Sequence, residues 1–151
     1  MTEECTTPDL VELGRGLFEA VNRRDVDAVM SFFAPDAVWE STYLEASEGV
    51  AAIRGVFEDL ARPFEQLEVE VEEILDLGGG VGFSVIVVRG RPLAGSGQVR
   101  QRYASWAIWT EDKITRLKMW WDTDIDKARA AAERLAEERG GCGSYVKEME
   151  P

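Results

Sequence analysis

QVRQRYASWAIWTEDKITRLKMWWD, residues 98–122, holds four of the chain's five tryptophans and reads as two long strands joined by a tight turn at Thr110-Glu111-Asp112-Lys113. Strands this long and aromatic build a curved sheet with a large concave face, where a pocket is expected. Period-two alternation divides the first strand into two sides. Gln101, Tyr103, Ser105, Ala107 and Trp109 share one side, and Arg100, Arg102, Ala104, Trp106 and Ile108 share the other.

Working outward, Leu67, Val69 and Val71 alternate with Glu68, Glu70 and Glu72, which predicts a strand with one buried and one wet face. Gly78-Gly79-Gly80 turns the chain into a second, mostly apolar strand from Val81 to Arg89, and Pro92 to Gly97 reads as a flexible hairpin loop. The first half is helical. Thr7-Pro8-Asp9 is a helix start, followed by Leu10, Leu13, Leu17, Phe18 and Val21 on one face. Asn22-Arg23-Arg24 breaks the pattern, and Asp25 caps a short helix presenting Val26, Val29, Met30 and Phe33. Ala34-Pro35-Asp36 is read as its end, before a brief strand over 37–41 and a polar loop through Glu48. A third helix over 49–60 turns Val50, Ile53, Phe57 and Leu60 inward, and Pro63 closes it. Asp124 to Arg139 is a last helix with Ile125, Ala128, Ala132 and Leu135 on one face. Helices followed by an antiparallel meander make an α+β fold, one domain over 8–139 with flexible tails at 1–7 and 140–151.

Composition narrows the function. At 151 residues and 45% hydrophobic, the chain can bury a core without metal or disulfide support. A net charge of −12 argues against nucleic acid and against anionic membrane surfaces. There is no histidine, which removes Ser-His-Asp and Cys-His pairs, HExxH zinc sites and histidine proton switches. Cys5 and Cys142 fall in the tails without metal spacing, and no apolar leader or membrane-length run is present. A cytoplasmic protein with no metal and no cofactor is expected.

The order helix, short helix, Phe33-Ala34-Pro35-Asp36-Ala37-Val38-Trp39, helix and four antiparallel strands resembles the NTF2-like superfamily, and within it the SnoaL-like, polyketide cyclase-like group. Gly95-Ser96-Gly97 before the long strand, Glu111-Asp112-Lys113-Ile114 at the last hairpin and the Trp121-Asp122 pair support the likeness, which spans about Leu10 to Leu135. It implies a cone: a curved antiparallel sheet with three N-terminal-half helices packed on the concave face and a C-terminal helix. The fold hosts isomerases, cyclases, epoxide hydrolases, dehydratases and non-catalytic binders, so it does not select a chemistry.

The family's known sites map poorly onto this chain. The Asp-Arg-Asp triad of limonene-epoxide-hydrolase-like members falls on Ile86, Val88 and Met119, all apolar. The base and oxyanion groups of ketosteroid-isomerase-like members fall near Ser41, Leu17 and Ala104, which cannot abstract a proton next to a carbonyl. Scytalone-dehydratase-like chemistry needs histidines, which are missing.

Matching alternation to the superfamily's pocket face predicts a lining of Trp39, Ser41, Ile86, Val88, Gln101, Tyr103, Ser105, Leu117, Met119 and Trp121, with Tyr43 over the mouth. Tyr103 is the polar handle and first catalytic candidate, against the alternative that it is bonded core. Asp122 is the second, against the alternative that it caps the last helix. Glu40 should face away from Trp39's side and serve the surface. Arg102, Trp106, Lys118 and Trp120 lie on the outer face, where superfamily members commonly dimerise, and predict a homodimer interface. Two functions stay open: a cyclase, isomerase or lyase acting on a small apolar molecule, or a non-catalytic ligand-binding or accessory dimer.

Overall fold

Asp9 starts the first helix by accepting a hydrogen bond from the Glu12 backbone N–H at 3.2 Å, which satisfies one free donor of the first turn. The computed structural model describes residues 9–42, 45–95 and 97–140. Helix α1 (Leu10–Asn22) turns through Arg24, at φ 55°, into α2 (Val26–Met30), which Asp25 caps in the same way. There follow β1 (Phe33–Ser41), β2 (Ser47–Glu48), α3 (Val50–Ala61), β3 (Phe64–Gly78), β4 (Val81–Pro92), β5 (Val99–Thr110) and β6 (Lys113–Trp121). A 3-10 turn at Asp122–Asp124 leads into α4 (Ile125–Glu138). The expected tails lie almost wholly outside the described residues.

The six strands form one curved sheet in the order β2-β1-β6-β5-β4-β3. It is mixed rather than wholly antiparallel, because β1 runs parallel to β6. The first strand also starts earlier than the sequence suggested: Phe33 is no helical residue but pairs with Ile114. Proline at position 35 is tolerated because the register shifts between Phe33 and Val38, so its missing N–H breaks no ladder bond to β6. The expected polar loop contains β2, which pairs Ser47 with Trp39.

A second irregularity decides the layering. The ladder between β3 and β4 shifts between Val71 and Glu73, at the point where two acids stand together. Before the shift Val69 faces α1–α3; after it Leu75 and Leu77 face the other way. The helices therefore occupy both faces. α1–α3 pack on the concave side around Ile53, Ile114 and Trp109, while α4 lays Ala128, Ala132 and Ala136 on Phe83, Val85 and Trp106. Arg129 fastens α4 to β3 with two bonds to Glu73, at 2.7 and 2.9 Å, and its guanidinium lies 4.9 Å from the Phe83 ring centre. The hydrogen bond from Arg129 holds the Glu73 carboxyl below its ordinary pKa. The outer face expected to be bare for a partner is thus half covered by the chain's own last helix.

Asp76, near the end of β3, accepts from the Gly78 N–H at 2.9 Å. Burial raises its pKa above 3.8; the Gly78 bond partly offsets this, and nearby Asp9 adds to the rise. A carboxyl raised in the folded state is a penalty when ionised, fully present above its folded pKa and relieved as pH falls through it. Asp76→Asn keeps an acceptor for Gly78, so it is expected to raise the melting temperature at pH 7. Thermal unfolding at pH 7 and near 3.8 should show that gain shrinking in acid.

Candidate functional site

Between α1–α3 and the concave face lies a cavity of about 450 Å³, within the range of roughly 300–1,000 Å³ typical of small-molecule sites. Val69, Ile86, Val88, Gln101 and Tyr103 from three adjacent strands make its floor, and Leu17, Phe18, Ile53 and Phe57 its roof. The mouth is rimmed by Leu60, Phe64 and Val99. A side chain at Gly90 would start 2.5 Å from the Phe64 ring, so the glycine lets that ring lie against β4 at the rim.

Two residues that the sequence showed only as a break hold this arrangement. The Asn22 amide donates to the Val69 carbonyl at 3.0 Å and accepts from the Val69 N–H at 2.6 Å, imitating a neighbouring strand on the outer edge of β3. Arg24 donates to the carbonyls of Ala61, Phe64 and Glu65 at 2.9, 3.1 and 3.2 Å, satisfying the end of α3 beside the mouth. Their signal was faint: polar residues where a strongly apolar helix stops.

Of the residues expected at the pocket, Trp39, Ile86, Val88, Gln101, Tyr103 and Leu117 line this cavity. The rest of the expected lining does not. Ser105 lies deeper, with its hydroxyl 2.9 Å from that of Ser84 beside a separate hollow. Ser41 and Met119 pair across β1 and β6 outside the cavity lining. Trp121 pairs with Tyr103, ring centres 5.8 Å apart, but is 37% exposed and flanks the wall rather than forming it. Tyr43 lies outside the described residues. Leu60, expected inward, is 44% exposed at the mouth.

Asp122 takes neither of its expected positions. It is exposed in the 3-10 turn, away from the cavity lining, and the turn moves the start of α4 to Asp124, which makes no capping bond from its side chain. On the outer face, Arg102 pairs with Glu72 at 2.7 Å and Glu40 with Arg116 at 2.8 Å. Lys118 lies 4.7 Å from the Trp120 ring centre, and Trp106 is buried under α4.

The cavity is nearly free of charge. Asp59 is the one carboxylate among the described residues of its lining; its side chain is 68% exposed at the mouth and paired with Arg62 at 2.9 Å. Of the positions matched to acid, base or oxyanion groups elsewhere in the superfamily, Ile86, Val88 and Leu17 line the cavity and are apolar, whereas Met119, Ser41 and Ala104 fall outside its lining. Its polar handles are the Gln101 amide and the Tyr103 phenol, so it can orient an uncharged oxygen but not hold an ion. Among the described residues, no group of three His, Cys, Asp or Glu comes together as a metal site.

A family model described as SnoaL-like domain matches residues 15–117. Solved structures share the fold at low identity. SalBIII, an epoxide hydrolase/cyclase-like enzyme with a role in pyran ring formation in the polyether salinomycin, is 22% identical, covering 75% of this chain and 91% of its own, with a TM-score of 0.66. A Catenulispora acidiphila protein with a ketosteroid isomerase-like fold, in complex with trimethylamine, is 16% identical over 84% of this chain and 94% of its own, at TM-score 0.67. A cystatin-fold protein from Novosphingobium aromaticivorans is 20% identical over 72% and 95%, at TM-score 0.64. No curated protein matches the chain by sequence.

Proposed function

This chain belongs to the SnoaL-like domain family, with its NTF2-like α+β fold, and we propose that its cavity receives a small, neutral, mostly apolar molecule oriented by Gln101 and Tyr103. The observation that carries this reading is the lining: mainly apolar, with the Gln101 amide and Tyr103 phenol as neutral polar groups and, among the described residues, a single carboxylate that is exposed at the mouth and paired with Arg62. An ion placed in such surroundings would lose its hydration and find no partner, whereas an apolar body with an oxygen or two would gain on both counts. The reaction that suits the site is cyclase-, isomerase- or lyase-type chemistry in which folding and drying the substrate contributes more than proton transfer. Tyr103 would polarise a carbonyl or ether oxygen.

A second reading is a non-catalytic ligand-binding or accessory module. It is favoured by the lack, among the described lining residues, of an inward carboxylate. Native mass spectrometry of the purified protein, then a thermal-shift screen of apolar ketones and aromatics, separates the possibilities. A ligand recovered unchanged after incubation supports the binder, and a product of altered mass or structure supports the enzyme. If nothing co-purifies and no compound raises the melting temperature, the cavity reading is wrong.

A further inference from the structure

Deeper under α1, a hollow of about 40 Å³ is walled by Gly14, Ile74 and Trp109 and shares Leu17, Phe18 and Leu117 with the main cavity. Ser84 and Ser105 supply hydroxyls to it. They are direct partners across β4 and β5, each 7% exposed, with their oxygens 2.9 Å apart. Two hydroxyls carry two protons, and the bond between them uses one. Among the described residues neither hydroxyl has a second hydrogen-bond partner. One donor is therefore left facing an apolar hollow, where an unmet O–H is costly.

The position of the pair says what could meet that donor. Ile86 and Tyr103 are the partner pair two residues along the same strands, facing the same side. Two residues of extended strand span about 7 Å, so the backbone that carries the serine pair lies roughly that far along the strands from that of Ile86 and Tyr103. The partition between the hollow and the cavity consists of Leu17, Phe18 and Leu117, all half-buried side chains rather than backbone. We propose that Ser84 and Ser105 form a deep subsite for a hydrogen-bond-accepting oxygen, a ketone or ester carbonyl, at the far end of the ligand that Tyr103 and Gln101 hold near the mouth. This rests on the cavity reading and adds to it: the ligand carries two oxygens at opposite ends of its body, separated by roughly the 7 Å or more that two strand residues span, and the inner one accepts.

The test uses three probes of one skeleton: decalin-2,6-dione, decalin-2-one and decalin. Calorimetric titration of the wild type should show the dione binding about five-fold more tightly than the monoketone, the effect of one buried hydrogen bond. In Ser84→Ala/Ser105→Ala the dione should fall to the monoketone's affinity, while the monoketone is unchanged; Ser84→Ala/Ser105→Cys, which also removes both hydroxyl donors but leaves a smaller void, provides the same comparison if the double alanine variant folds poorly. Equal binding of dione and monoketone to the wild type overturns the subsite and leaves the cavity reading standing. A preference for the dione that survives the alanine variants overturns it too, as does a crystal structure of the dione complex with a water, not a carbonyl, against the serines. If none of the three probes binds, the cavity reading fails and the subsite with it.

Discussion

Val88→Trp is expected to abolish ligand binding while leaving the fold in place. Val88 sits on β4 between its partners Val69 and Gln101, half-buried, with its side chain in the cavity floor. An indole there occupies space that a ligand would need and covers apolar surface that is otherwise exposed inside the cavity. The unliganded protein should therefore melt at or slightly above the wild-type temperature. For any compound that stabilises the wild type, affinity should fall by at least a hundred-fold, about 2.7 kcal/mol, and the thermal shift should vanish. Titration calorimetry and thermal unfolding, run side by side, check both halves. A variant that folds and still responds to the ligand would place binding elsewhere on the molecule.

The residues that made this variant easy to choose were legible in the sequence. Alternation along 98–122, matched to the pocket face that the family resemblance implies, gave the expected lining, and of it Trp39, Ile86, Val88, Gln101, Tyr103 and Leu117 line the cavity. A period of two says which face a side chain takes, but not how deep along the strand the cavity reaches. That is why Ser105, on the correct face, ends against Ser84 in a hollow of its own, and why Met119 and Trp121 fall outside the lining. It also assumes an unbroken ladder. The shift after Val71 exchanges the faces of β3, so one half of the strand serves the cavity and the other serves α4. Asn22 and Arg24 act only through backbone groups 37 to 47 residues away, and no local pattern announces such bonds. The last helix was legible as an amphipathic helix, but an apolar stripe does not say which side of a sheet will receive it.

That side is what Ala132→Arg tests, with the largest effect expected on stability. Ala128 and Ala132 are fully buried and Ala136 nearly so, one turn apart, and small side chains at these positions let α4 approach Phe83 and Trp106 closely. A guanidinium at 132 brings both excess volume and an unpaired charge into that contact. The cost should be about 3–5 kcal/mol, and Glu73–Arg129 is too exposed an anchor to offset it. With α4 dislodged, Trp106 and Trp120 meet water; their indole N–H groups, buried without a partner among the described residues, then gain one. Their fluorescence should shift to the red, and light scattering should report self-association through the uncovered apolar face. The same measurements bear on the homodimer that we propose for the wild type. While α4 is seated, Trp106 is closed to a second copy, so a wild-type dimer on this face must use the exposed charged half around Arg102, Glu72 and Lys118. It should then survive Trp106→Phe but weaken with Arg102→Glu. If Ala132→Arg leaves both tryptophan emission and melting temperature unchanged, α4 does not cover the sheet, and the outer face is free for a partner after all.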